Sequence, residues 1–175
     1  SPNGRPFGLE MTAIDAGYNT QAVYAFVRRR GPRVIAVKGM PGHMAPAIGT
    51  ATKQDVNWTG EKIKGGILLW PVGTWTLKGE FYANLAKTIV GPTDHGQFPP
   101  GYVHIPTAVD EAGLQQLTAE YLETQDRKGF QVKQWAKRPG QRNEWLDCRV
   151  YAAAAAAQWG LYRITPARWL ERAAA

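Results

Sequence analysis

Val23, Tyr24, Phe26 and Val27 recur at helical spacing behind Thr20, which predicts a helix over residues 21–30 with Thr20 as its cap and one buried face. Before it, the apolar-leaning run 9–14 ends at Asp15 and reads as a strand, punctuated by Gly17 and Asn19. Gly31-Pro32 closes the helix, and residues 34–37 form a second short apolar run. Strand, helix and strand with tight connections make a βαβ unit and so a parallel sheet. Residues 40–66 are rich in Gly, Pro, Thr and Lys without a usable period. They read as a long loop with a short ribbon around residues 56–59, and such loops in compact domains are often functional. Residues 67–72 are continuously apolar between Gly and Pro, as a buried strand is. Leu77, Phe81 and Leu85 give a helix over 76–85 one apolar face; residues 91–101 then form a second loop and residues 102–105 are short and β-prone.

Asp110-Glu111 opens a predicted helix running to about residue 125, with Leu114, Leu117, Tyr121 and Leu122 as its core stripe. Residues 130–135 alternate apolar and polar, as a half-exposed strand does. A basic turn, 138–142, precedes the strongest helical pattern, from Asn143 through Trp145, Leu146, Val150 and a run of alanines to Trp159. Alanine at that density permits close helix packing. Pro166 opens a last short helix ending at residues 173–175. There is no internal repeat and no clear domain boundary.

Composition narrows the picture. At 175 residues and 44% hydrophobic content the chain is long and apolar enough for one domain with a core, which excludes wholesale disorder. One cysteine forms neither an internal disulfide nor a cysteine-rich zinc site, so a reducing cytosol is the default compartment. No apolar run is long enough to cross a bilayer, and residues 1–8 lack the apolar core of a signal peptide. The net charge of +7 favours a polyanionic partner, most simply nucleic acid. Its surplus lies mainly in the half of the chain that carries Asp15.

Asp15 falls at the carboxyl end of a predicted parallel strand, the edge where ligands collect in open α/β sheets; a turn-capping role is the equal alternative. Asp147 sits inside a largely apolar helix with Asn143 four residues earlier, so two polar groups share one helix face. An exposed helix flank is the alternative there, kept open by Arg142 and Arg149. Asn143, Glu144 and Asp147 follow the basic residues Lys137, Arg138 and Arg142. Carboxylates gathered from a strand end and a helix suit Mg²⁺, which takes hard oxygen ligands, and two such ions can hold the attacking water and the leaving oxygen of a phosphodiester. His43, His95 and His104 have no metal-ligand spacing, and Cys148 reads as a buried, inert thiol. No phosphate-binding Gly-rich loop ends in Lys-Ser or Lys-Thr, which excludes a self-contained P-loop ATPase. Trp70, Trp145 and Trp159 read as core, and Trp58 and Trp75 as candidates for exposure and base stacking.

Ala13-Ile-Asp15-Ala-Gly17, Val37-Lys38-Gly39, Val72-Gly-Thr74, Leu77-Lys78 and Tyr82 resemble the bacteriophage terminase large subunit of the lambda-like class. Pro100-Gly101-Tyr-Val-His104-Ile-Pro106, Gln116-Leu-Thr-Ala-Glu120 and Asn143-Glu-Trp-Leu-Asp147-Cys148 extend that resemblance over nearly the whole chain. It implies the carboxyl-terminal nuclease of such a protein: an α/β, RNase H-like fold with a mixed sheet flanked by helices. ATP would be used only by an amino-terminal packaging domain that this chain does not contain. Asp15 resembles the middle metal-binding carboxylate of that fold and Asp147 the helical one. The first-strand acid has no counterpart before Leu9, so residues 1–175 look like a partial nuclease domain without its opening strands, weakly active or inactive alone. Trp75 stands where many relatives carry aspartate; either that acid is dispensable in this branch or Glu80 substitutes for it. Lys38 and Lys78 match family lysines that approach phosphate or pair inside the fold.

The resemblance further implies Mg²⁺- or Mn²⁺-dependent, two-metal cleavage of concatemeric double-stranded DNA by a phage or prophage enzyme. The terminase small subunit and the portal protein would be its partners, in the host bacterial cytoplasm and with no membrane. Asn143 and Glu144 would be auxiliary groups. A rival reading is a non-catalytic DNA-binding or assembly module using Arg28, Arg29, Arg30 and Arg33 with Lys133, Lys137, Arg138 and Arg142 as its basic surface. A nucleotide-binding fold ranks below both, because the second phosphate loop it needs is missing.

Overall fold

A computed structural model describes residues 8–87 and 91–174, so the polar segment 1–7 and the end of the last helix at residue 175 lie outside the described residues. Two compact units form: one from the described residues up to Thr76 and from Tyr151 onward, the other from Leu77–Val150.

The first unit is built on a four-stranded sheet in the order β1-β2-β4-β3, from β1 (Thr12–Asp15), β2 (Val34–Met40), β3 (Thr52–Trp58) and β4 (Glu61–Gly73). β1, β2 and β4 run parallel and β3 is antiparallel to β4, so the sheet is mixed. The first two strands and α1 (Thr20–Arg28) make the βαβ unit that the pattern predicts. Thr20 is not the cap: Asn19 holds that position in the left-handed region, and the Thr20 hydroxyl donates to the Ala16 carbonyl at 2.8 Å. Tyr24, Ala25 and Val27 of α1 pack on Ala36, Val56 and Ile67, with Ile14 and Leu69 at the margin. Phe26 departs from the expected buried face and stands exposed.

The register fixes which side chains share a face. Ile14 pairs with Ala36 and Ala36 with Leu69, and all of these lie on the α1 side. One residue further, Asp15 pairs with Val37, so Asp15 leaves the sheet on the side opposite α1 while Lys38 shares the α1 side. On the face of Asp15, the hydroxyl of Tyr151 comes so close to Gly39 that a Cβ there would lie 3.1 Å from it.

Residues 40–66 are not one long loop. Thr59 and Gly60, both at positive φ, turn β3 back into β4 as a tight hairpin. The alternation is hidden in sequence because Val56, Ile63 and Ile67 supply its few apolar members among lysines, Asp55 and Gln54. The true loop, residues 41–51, lies along the end of β4: Gly73 donates to the Pro46 carbonyl at 3.0 Å and Gly49 to that of Pro71 at 2.8 Å.

α2 (Thr74–Ala86), which belongs to the second unit from Leu77 onward, buries Leu77 and Phe81 as its pattern requires. The helix from residue 111 stops early: α3 spans only Glu111–Leu117, with the Asp110 carboxylate accepting the Gly113 N–H at 2.8 Å. Residues 120–125 instead form β5 (Glu120–Arg127), which pairs antiparallel with β6 (Phe130–Lys137) through a Lys128-Gly129 turn at positive φ. Tyr121 and Leu122 are exposed strand residues whose spacing imitates a helical stripe. Residues 102–105 form no strand; the rings of Phe98, Tyr102 and His104 cluster there at 4.5–4.8 Å. α4 (Glu144–Trp159) begins in this unit and continues into the first from Tyr151; it buries Leu146, Val150 and Ala154 at four-residue intervals, and α5 (Pro166–Ala174) follows in the first unit. No described helix is long and apolar enough to cross a membrane.

Candidate carboxylate site

The second unit brings together residues far apart in sequence. Lys78, on α2, lies with its Nζ 2.7 Å from both carboxylate oxygens of Glu120, the first residue of β5. Both side chains are nearly buried, at 12% and 6% exposure. Asn143, immediately before α4, donates from Nδ2 to Glu120 Oε1 at 2.8 Å and to Asp147 Oδ2 at 3.1 Å. Lys78 Nζ also stands 3.9 Å from Asp147 Oδ1. Two carboxylates thus share one ammonium and one amide.

Local structure explains the placement. Asn143 accepts the Asp147 N–H at its carbonyl, 3.0 Å away, so the two side chains stack one turn apart at the start of α4. There the helix dipole favours negative charge. Gly113 of α3 faces the Trp145 ring, which leaves no room for a Cβ: one built there would lie 2.6 Å from the ring. Trp145 is therefore a half-exposed packing residue rather than core. The Glu120 N–H donates to the Tyr82 hydroxyl at 3.2 Å, and the Tyr82 ring stacks on Trp135 at 5.1 Å. Burial chiefly pushes the Tyr82 phenol above its usual range.

The buried Glu120 is spent on Lys78 and Asn143. Asp147 keeps 44% of its side chain exposed and is the carboxylate open to a solvated cation. Glu144 ion-pairs with Arg142 at 3.0 Å on the surface; its own backbone N–H and the Arg142 guanidinium hold its carboxyl below the usual range. Cys148 is exposed, not buried, because the buried face of α4 passes through its neighbour Leu146 and through Val150.

In the first unit Asp15 is exposed at the end of β1, and its Oδ1 accepts the Gly17 N–H at 3.1 Å, a turn-capping bond that leaves Oδ2 outside it. Lys38 is exposed in β2, where it pairs with Pro71 of β4, two residues before the strand ends. Arg28, Arg29, Arg30 and Arg33 are exposed at and beyond the end of α1, and Lys133, Lys137, Arg138 and Arg142 lie on and after β6. Trp58 is exposed as expected, whereas Trp75 is half-buried with its ring 3.7 Å from that of His43. Among the described residues no group of three or more His, Cys, Asp or Glu side chains is placed to hold a metal ion. Sequence reasoning misses Glu120: inside a predicted helix it carries no sign of facing Asn143, although it ends the Gln116–Glu120 motif.

A chain whose first parallel strand ends in Asp15, whose second carries Lys38, and whose α4 opens with the Asn143–Asp147 pair, matches the model of the family described as terminase large subunit gpA, endonuclease domain, over residues 1–169. The chain belongs to that family. It is 32% identical over 173 residues to the terminase large subunit of Escherichia phage lambda, covering 95% of this chain and 24% of that protein. With the terminase large subunit of Enterobacteria phage P21 it shares 30% identity over 169 residues, 93% of this chain and 24% of that protein. The chain thus spans about a quarter of the length of these curated relatives. No solved structure matches it.

Proposed function

We propose that this chain is the metal-dependent endonuclease portion of a DNA-packaging terminase, with an RNase H-like fold, hydrolysing phosphodiester bonds of concatemeric viral DNA. The observation that carries this reading is the half-exposed Asp147, oriented by Asn143 at the start of α4 beside the buried Lys78–Glu120 pair. Two carboxylates against one lysine leave a net negative charge, which suits a divalent cation. Asp147 in the second unit and Asp15 in the first are the carboxylates proposed to meet metal. Bound Mg²⁺ or Mn²⁺ would supply an activated water and neutralise charge developing on the phosphate. Asn143 fixes the Asp147 rotamer, Lys78 holds Glu120, and Lys38 and the arginines around the end of α1 would contact the DNA backbone. In the whole protein the partners would be the small subunit and the portal, in the host cytoplasm, with ATP consumed elsewhere.

A supercoiled-plasmid nicking assay with Mn²⁺, run beside calorimetric Mn²⁺ titration, tests the reading. Asp147→Asn and Asp15→Asn should each weaken Mn²⁺ binding and abolish cutting by the protein that carries this domain, and EDTA should do the same. Cutting that survives both substitutions would sink the assignment.

A further inference from the structure

A second feature lies in the first unit, on the α1 face of the sheet. Val56 and Trp58 share that face by strand alternation, and Trp58 emerges at the end of β3 with 41% of its surface exposed. Opposite it, Ala22, Ala25, Phe26 and Arg29 follow the i, i+3, i+4, i+7 spacing of one helical stripe. Between them runs an open groove of about 390 Å³, lined by those residues with Arg30 and Trp58. The groove is held in place from below: Gln21 Oε1 accepts the Asn57 N–H at 2.6 Å, tying α1 to β3.

Its chemistry is unusual for a surface. Phe26 is 45% exposed although it sits in an apolar helical pattern, and the Arg30 guanidinium lies 4.6 Å from the centre of its ring. Among the described residues no carboxylate pairs with Arg28, Arg29 or Arg30, although Glu61 lines an adjoining smaller hollow. Exposed ring and guanidinium faces beside unneutralised cations match a ligand that is both flat and anionic. A nucleotide with an accessible base face is such a ligand. A duplex hides its base faces in the stack, whereas single strands offer them.

We propose that the groove between α1 and the β3–β4 hairpin binds single-stranded DNA, with a base stacked against Trp58 and backbone phosphates on Arg29 and Arg30. The proposal rests on the nucleic-acid partner proposed above, but on neither Asp15 nor Asp147, and so it is measurable without cleavage. Fluorescence anisotropy of labelled oligo(dT) and of a duplex of equal length, both in EDTA, is the test. Trp58→Ala should weaken oligo(dT) binding about tenfold and duplex binding less than about twofold, and Trp58→Phe should restore most of the loss. Arg29→Gln with Arg30→Gln should weaken oligo(dT) binding and flatten its salt dependence. Trp58 is partly packed against α1, so a thermal melt must show Trp58→Ala folded at the assay temperature, and Trp58→Phe, which keeps a ring there, serves as the second variant. Oligo(dT) affinity unchanged by Trp58→Ala, or oligo(dT) and duplex affinities lost equally, would overturn the groove assignment. Nicking lost on Asp147→Asn alongside either result leaves the nuclease reading standing. Absence of Mn²⁺-dependent nicking with intact Trp58-dependent binding removes the nuclease reading and leaves the groove in place.

Discussion

Lys78 meets both oxygens of Glu120 at 2.7 Å, a two-point contact between side chains 42 positions apart, and both are nearly out of water. A buried charge that loses its partner is far costlier than the pair itself is worth. Glu120→Ala should therefore destabilise the protein by about 3 kcal/mol. The double change Lys78→Met with Glu120→Leu should recover most of that loss. Urea unfolding of the parent and these two variants decides it: a double variant no better than the single one means that the contacts with Asn143 and Asp147, not the unpaired lysine, set the cost.

Asn143 donates to both carboxylates. Asn143→Ala should lower Mn²⁺ affinity roughly tenfold, the usual loss when a ligand's orienting partner goes. Asn143→Asp adds a third negative charge beside Lys78 and should destabilise the fold more. Calorimetry gives the first number and thermal melting the second. An Asn143→Ala variant that binds Mn²⁺ as the parent does would remove Asn143 from the site.

Gly73 tests the packing of the loop along β4. A Cβ there would collide with the Ala45 and Pro46 carbonyl oxygens, both backbone atoms with little freedom to yield. Gly73→Ala should cost about 1–3 kcal/mol, whereas Gly79→Ala, in open space on α2, should be stabilising by about 0.5–1 kcal/mol. Paired thermal melts showing the two substitutions alike would contradict the close approach.

The turn between β5 and β6 offers a stabilising change. Lys128 and Gly129 adopt φ values of 55° and 82°, the geometry that Asn-Gly prefers. Lys128→Asn should stabilise by about 0.5 kcal/mol, and Gly129→Ala should cost about 1–2 kcal/mol. Denaturation midpoints moving the other way would exclude this turn type.

Tyr82 gives the pH dependence. Burial holds its phenol above the ordinary value of about 10, so the folded state keeps a proton that the unfolded chain releases. Its contribution is fully present below about pH 10 and is lost as pH rises through the folded value. Tyr82→Phe should reduce the fall in melting temperature above pH 10. A slope identical in both proteins would mean the fall comes from other groups.

Much of the first unit is legible in the sequence. The β1–α1–β2 pattern is short, clean and local, and it places Asp15 at a strand end without any tertiary knowledge. The same holds for α4, whose Leu146, Val150 and Ala154 stripe sets Asn143 and Asp147 at its entrance. What stays hidden depends on partners distant in sequence. Leu114, Leu117, Tyr121 and Leu122 satisfy a helical period, but Ala119 and Glu120 are buried by strand pairing and by Lys78, contacts no local window contains. Thr59-Gly60 and Lys128-Gly129 are weaker hairpin signals than Asn-Gly, and each lies in a polar stretch. Phe26 reads as inward-facing because spacing alone does not tell a core ring from an exposed one.

Cys148 takes on a use from its position. It is the sole sulfur nucleophile of the chain, exposed, and next to Asp147 on a helix anchored by Leu146 and Val150. A nitroxide or fluorophore joined there by thiol chemistry has a single address, requires no engineered cysteine and rides on a rigid backbone. Occupancy at Asp147 would then be readable as spectral broadening by paramagnetic Mn²⁺, with no DNA present and no bond cut.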